Sequence, residues 1–200
     1  MAIFFKLSSD DVECIENEAV RYSGCQNASG ADENVVALVK KSCGLLKPVL
    51  MPQAVYEEFE LKIEGNKIKF ADTEVESKDL ERNLKGCKKI IVLAATIGAK
   101  VDMVIRRAQT SGSADAAVMQ GSAAMFIESF VDKLNAELKH EYEKKGLKLH
   151  SRFSPGYGDV PLEFQKEIFR LLPCSKIGLS LMDTMIMAPE KSVTAFIGVE

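Results

Sequence analysis

Arg152-Phe-Ser-Pro-Gly-Tyr-Gly-Asp159 brings together residue types that can hold a small anionic ligand. The guanidinium of Arg152 is a planar, permanently charged fork that matches a carboxylate with two parallel hydrogen bonds. Gly156 and Gly158 flank Tyr157 and leave the backbone free to approach a ligand closely, while Pro155 pre-sets one dihedral and stiffens the turn. Asp159 is expected to cap a following helix whose first turn holds Pro161. The amides at that helix start would suit a carboxylate ligand unless Asp159 takes them itself. Two readings stay open on these residues alone: a carboxylate-binding loop, or a stiff Pro-Gly turn with a surface arginine and an interfacial tyrosine.

Glu128 is a second candidate. It follows Gly121 and Ala124 along one flank of a long apolar-faced helix, and small residues there let another segment pack close. A carboxylate half-buried by that packing needs a cation or hydrogen-bond donors, and an internal ion pair with Arg106 or Arg107 would satisfy it without any ligand. Thr96-Ile-Gly98, where an apolar run meets a helical one, reads first as a strand-to-helix turn with Thr96 as cap.

The elements that must position these groups follow from periodicity. Asp10 and Glu13 open a helical stripe through Val12, Ile15, Ala19 and Val20 that ends at Ser23-Gly24, and a second helix fits 32–44 before Pro48 and Pro52. Residues 55–70 alternate around Glu64-Gly65-Asn66 as a hairpin. Ser77 caps a short helix ending by Gly86, and Lys89-Ile-Ile-Val-Leu-Ala-Ala95 has the unbroken apolar character of a central strand. A helix to about Gln109, a break at 110–113 and a long helix over 114–144 come next. The long helix carries Ala123, Ile127, Phe130, Val131, Leu134, Leu138 and Tyr142 on one face. Residues 147–153 alternate as a strand that places Arg152 on the same side as Lys148 and His150; a helix runs from Val160 to about Leu172, and Ile177 to Met182 and Ser192 to Val199 close the fold as strands. This mixture predicts an α+β fold: one domain over 1–200, with a central, mostly antiparallel twisted sheet flanked by long helices. Residues 1–85 form its helical and hairpin part, and 86–200 its motif-bearing part.

Composition narrows the function classes. With 200 residues, 46% hydrophobic and 28% charged, the chain can bury a sizeable core and is not of disordered type. A net charge of −3 with no basic block argues against nucleic-acid binding by phosphate neutralisation. The N-terminus lacks a signal peptide's apolar stretch and no run approaches a membrane span, so a cytoplasmic protein is expected. The five cysteines form no Cys-x-x-Cys pair and there are two histidines, so reduced, mostly buried thiols are expected rather than a metal centre. Dinucleotide, phosphate-loop and nucleophile-elbow motifs are missing.

Arg152-Phe-Ser-Pro-Gly-Tyr157, then Ile177-Gly-Leu-Ser-Leu181 and Met187-Ala-Pro-Glu-Lys-Ser-Val193, resembles the activation (reactivation) domain of cobalamin-dependent methionine synthase. The resemblance reaches back through Glu128-Ser-Phe-Val-Asp-Lys-Leu134 to Thr96-Ile-Gly98 and covers roughly 90–200; the first 85 residues share only general character. It implies binding of S-adenosylmethionine, with Arg152 holding the cofactor's carboxylate and Glu128 near its amino group. It also implies that Tyr157 contacts ligand where cobalamin docks, and that Pro155, Gly156 and Gly158 complete the binding loop. The implied role is an accessory one in methionine synthesis: reductive remethylation of cob(II)alamin, with an electron from a flavodoxin-type donor and the methyl group from S-adenosylmethionine. Cobalt and sulfonium would supply the chemistry and the protein would supply positioning. Two departures stand out. Gly158-Asp-Val-Pro161 replaces the family's Cys-Pro and His, and the cobalamin-binding pattern Asp-x-His-x-x-Gly is missing, so cobalamin is expected on a partner chain, a methionine synthase or another corrinoid protein. The alternative is a non-catalytic docking module for a corrinoid protein that has lost S-adenosylmethionine binding.

Overall fold

The structure is a computed structural model that describes residues 1–24, 32–110 and 112–200. Cys25 and Ser111 of the expected 110–113 break lie outside the described residues. Strand β1 (Ile3–Lys6) leads into a 3-10 turn at Ser9–Asp11, where the hydroxyl of Ser8 accepts from the Asp10 amide. That local bond diverts the helix expected from Asp10, which starts only at α1 (Glu16–Tyr22) after an extended stretch. Helix α2 (Glu33–Leu46) is capped by Asp32, whose carboxylate accepts from the Asn34 amide at 2.9 Å, and passes into a 3-10 turn at Lys47–Val49 around Pro48.

The hairpin forms as β2 (Gln53–Glu64) and β3 (Lys67–Phe70), followed by β4 (Thr73–Glu76). The four-residue strands β1 and β4 were not among the elements expected from the sequence. Ser77 caps α3 (Lys78–Asn83) through the Leu80 amide at 2.9 Å. Then come β5 (Lys89–Thr96), α4 (Ala99–Gln109) and α5 (Ser113–Glu143). Thr96 does not cap α4; its hydroxyl accepts from the Gly98 amide and closes the turn before it.

Beyond α5 the outcome departs further from periodicity. The helix expected from Val160 is a 3-10 turn at Leu162–Phe164 and a short α6 (Gln165–Leu171). Only Ser180–Leu181 of the strand expected over 177–182 is extended, as β6, and it pairs with β7 (Met187–Ala188) apart from the main sheet. A 3-10 turn at Cys174–Ile177, closed by a left-handed Gly178, uses up the start of that segment. The last strand is β8 (Ser192–Val199).

Six strands form one sheet in the order β4-β3-β2-β5-β8, with β1 beside the first part of β2, and every pairing described is antiparallel. The sheet joins both portions of the chain, since β2 pairs β5 from Gln53↔Thr96 to Glu60↔Lys89. Its pleat divides the core. Ile91, Leu93 and Ala95 of β5 face one cluster with α1, α2, α4 and α5, whereas Ile90, Val92 and Ala94 face another with α3, α6 and the turns around them. A strand covered on both faces gains apolar burial from every residue, which accounts for the unbroken run at 89–95. All seven apolar positions expected on the long helix are buried in the first cluster. The sheet edge at β4 is lined by Lys67 and Lys69 paired with Glu74 and Glu76, charges that discourage edge-to-edge association.

Candidate functional site

Arg152 reaches its position through a one-residue irregularity. Residues 147–153 run antiparallel along β8: Leu149 bridges Val199 and Phe153 bridges Phe196. Four steps on one strand thus match three on the other, so Ser151 and Arg152 together oppose Ile197, as in a β-bulge. Because side chains alternate, one extra residue moves everything beyond it to the other face. Leu149 packs with the α5 cluster and Phe153 with the α3–α6 cluster. His150 points to α3, its Nδ1 2.6 Å from the Asn83 carbonyl. A regular strand would have sent Arg152 there too; the bulge sends it to α5. The expectation that Arg152 shares a side with His150 is corrected accordingly.

On α5 the guanidinium meets two carboxylates. Its Nη2 donates to Glu128 at 3.2 Å and to Asp132 at 2.8 Å, while the Arg152 side chain is 22% exposed. Glu128 therefore pairs with Arg152 and not with Arg106 or Arg107. Glu128 and Asp132 are four apart on one helix face, where two like charges repel unless a cation lies between them. Arg152 is that cation. Its other terminal nitrogen, Nη1, is buried with no hydrogen-bond partner among the described residues. A buried charged donor left unused costs free energy, so this nitrogen marks where an acceptor would be most stabilising.

The loop beyond Arg152 is closed by its own backbone. The Tyr157 amide donates to Ser154, and the Gly156 amide to Val160. Pro155 and Val160 point inward, and Tyr157 stands out at 71% exposure. Phe164, just past the loop, packs edge-on against Phe70 and Phe196 with ring centroids 6.2 and 5.9 Å apart. Asp159 does not cap the helix after it, which has no side-chain cap. Its carboxylate instead bonds the Ser77 hydroxyl and accepts from the Lys78 amide at 2.8 Å and the Asp79 amide at 3.3 Å, at the start of α3. The Ser77 hydroxyl bond first, and then these amides, hold the Asp159 carboxyl below the usual carboxylate range. Gly158 lies against the same place with φ +55°, and a Cβ there would sit 2.5 Å from an Asp79 carboxylate oxygen.

A cleft of about 260 Å³ opens between loop and sheet, lined by Glu128, Arg152, Phe153, Ser154, Tyr157 and Val193. Of the residues singled out in the sequence, Arg152, Glu128 and Tyr157 converge on it; Pro155, Gly156 and Gly158 lie outside its lining and shape the loop. On the other side of the ion pair is a second cleft of about 340 Å³, walled by Glu18, Tyr22, Met125, Glu128, Asp132 and Arg152. Gly121 makes this wall possible, since a Cβ there would lie 2.6 Å from the Ser23 amide nitrogen where α1 rests on α5. Burial first, and then the charge of Glu128, push the Tyr22 hydroxyl up. Asp132 was not singled out in the sequence, although its i+4 spacing from Glu128 is a signal that could have found it.

Cys43 and Cys174 are buried and pushed up to about 12, and half-buried Cys87 to about 11, chiefly by burial. No helix among the described residues is long and apolar enough to cross a membrane.

The fold is an α+β arrangement of a curled antiparallel sheet covered by helices on both faces. It is that of a solved structure described as the MetH reactivation domain bound to AdoHcy. The likeness has a TM-score of 0.74 at 15% identity and covers 99% of this chain and 78% of that one. It therefore extends past 90–200 into the first 85 residues. Neither a protein-family model nor a curated protein matches the sequence.

Proposed function

We propose that this chain is an activation module that binds S-adenosylmethionine through Arg152 and Glu128 and supports reductive remethylation of a corrinoid carried by a partner. The observation that carries the reading is the half-buried Arg152, which lines a cleft with a carboxylate beside it and keeps Nη1 unused. This is the charge pattern of an amino-acid end group, a cationic fork for the carboxylate and an anion for the ammonium. The likeness to a reactivation domain bound to AdoHcy lends support, because that ligand has the same amino-acid end.

The chain's own residues have a positioning task in this reading. Arg152 and Glu128 anchor the ligand's amino-acid end, and exposed Tyr157 stands at the cleft mouth where a partner would close over it. The corrinoid cobalt, when a partner presents it, supplies the nucleophile for the sulfonium methyl group. Nothing in this step needs an acid or a base from the protein, and orientation with exclusion of water is what it contributes. The electron donor would be of flavodoxin type, and the partner a cobalamin-binding methionine synthase or another corrinoid protein.

Calorimetric titration with S-adenosylmethionine tests the reading. Binding is expected in the intact protein and should weaken roughly ten- to a hundredfold in Arg152→Ala, as for loss of a charge-assisted contact. No heat of binding in the intact protein, together with capture of a cobalamin-loaded partner, would select the docking-module alternative instead.

A further inference from the structure

Two carboxylates share one guanidinium here, and the ion pair nearer to ideal length is with Asp132, the more exposed of the two at 67% against 37% for Glu128. Resting on the function proposed above, we infer that Asp132 is a specificity-determining counter-charge. It holds Arg152 while the site is empty, and on binding it selects a ligand that carries a sulfonium cation over its neutral thioether product.

Charge accounting leads there. Arg152, Glu128 and Asp132 sum to one negative charge, and Arg21 and Glu18 on the facing wall pair with each other and cancel. Lys133, next along α5, is turned away to the Asp11 carbonyl at 3.1 Å. When a ligand carboxylate takes over the Arg152 fork, both helix carboxylates lose part of their partner and repel each other more strongly. One ligand ammonium offsets one of them. A second positive charge on the ligand offsets the other. S-adenosylmethionine has that second charge in its sulfonium; S-adenosylhomocysteine, after methyl transfer, does not.

The geometry permits the exchange. Asp132 holds Arg152 through Nη2 alone and Arg152 lines both clefts, so a turn of the side chain would bring the buried, unused Nη1 to a ligand oxygen before the Asp132 contact has to break. Glu128 lines both clefts and Asp132 only the second, so removing Asp132 leaves the lining of the loop-side cleft as it is. Product release follows from the same arrangement: once the sulfonium becomes a thioether, Asp132 regains its advantage as the partner of Arg152. The site would thus favour the methyl donor and shed the spent cofactor without any movement of the fold.

The experiment is a calorimetric titration of the intact protein, Asp132→Asn and Asp132→Glu with S-adenosylmethionine and S-adenosylhomocysteine at two salt concentrations. The intact protein should prefer the sulfonium ligand, and Asp132→Asn should reduce that preference roughly three- to fivefold, the range of an exposed charge pair. Its affinity for S-adenosylhomocysteine should hold or rise, because Arg152 is released. Asp132→Glu should restore most of the preference, and added salt should erode it in the intact protein but not in Asp132→Asn. An Asp132→Asn variant that weakens both ligands equally, or leaves their ratio unchanged, overturns the inference while leaving the binding function standing. An intact protein that binds neither ligand removes both.

Discussion

Arg152 and Asp159 bracket the same loop, carry opposite charges and are both held by partners far away in the sequence, yet they use their hydrogen-bonding capacity differently. Asp159 is satisfied by the Ser77 hydroxyl and two α3 amides, a cap that closes the start of a helix. Arg152 has two carboxylates on one terminal nitrogen, Nη2, and none on the other, Nη1, which is buried. A saturated group contributes to stability; a group with an unused donor beside a cleft has capacity left for a ligand. The difference separates an anchoring end of the loop from a binding end.

The two ends of the loop should differ most at Arg152. Arg152→Lys keeps the charge but loses the fork, so it should recover less than half of the binding free energy that Arg152→Ala removes, roughly 1.5–3 kcal/mol for a charge-assisted contact. Its melting temperature should stay close to that of the intact protein. If Arg152→Lys melts far lower while any ligand binding persists, Arg152 is an anchor like Asp159. At the other end, Gly158→Val should destabilise the fold by about 1–3 kcal/mol, because a branched side chain is strained at positive φ and its Cβ meets Asp79. Denaturant unfolding measures this, and a variant of full stability but reduced affinity would show that Gly158 belongs to the binding end.

Smaller effects follow at the cap. Ser77→Ala removes the bond to the Leu80 amide and one partner of Asp159, and should cost about 1 kcal/mol in denaturant unfolding. Smaller still is the pH dependence. The Asp159 carboxyl is lowered in the folded state, first by Ser77 and then by the Lys78 amide, so its contribution is complete above the unfolded value of about 3.9 and is lost as pH falls through the lower folded value. Thermal melts from neutral to acid pH should therefore fall less steeply in Asp159→Asn than in the intact protein. Equal slopes would mean that the cap does not depend on the charge.

The element pattern was legible wherever burial repeats along the chain. The 89–95 run gave the central strand, the three-and-four spacing of Ala123 to Tyr142 gave the long helix, and Ser77 marked the start of α3. It was not legible where a single bond or turn decides, as at Ser8, which delays α1, and at Cys174–Ile177, which shortens the strand expected after it.

The kinds of element, the apolar faces that pack them and a loop with the residue types to hold a carboxylate were legible in the sequence, because propensity, periodicity and side-chain chemistry are local properties. The family resemblance added a ligand to those types. Only the tertiary structure decided which side of the sheet Arg152 faces, since one extra residue against β8 reverses the alternation and β8 lies more than forty residues further along the chain. It also assigned Asp159 to α3 and Asp132 to Arg152. Such assignments depend on distances between segments remote in sequence, and those distances exist only after the sheet has formed.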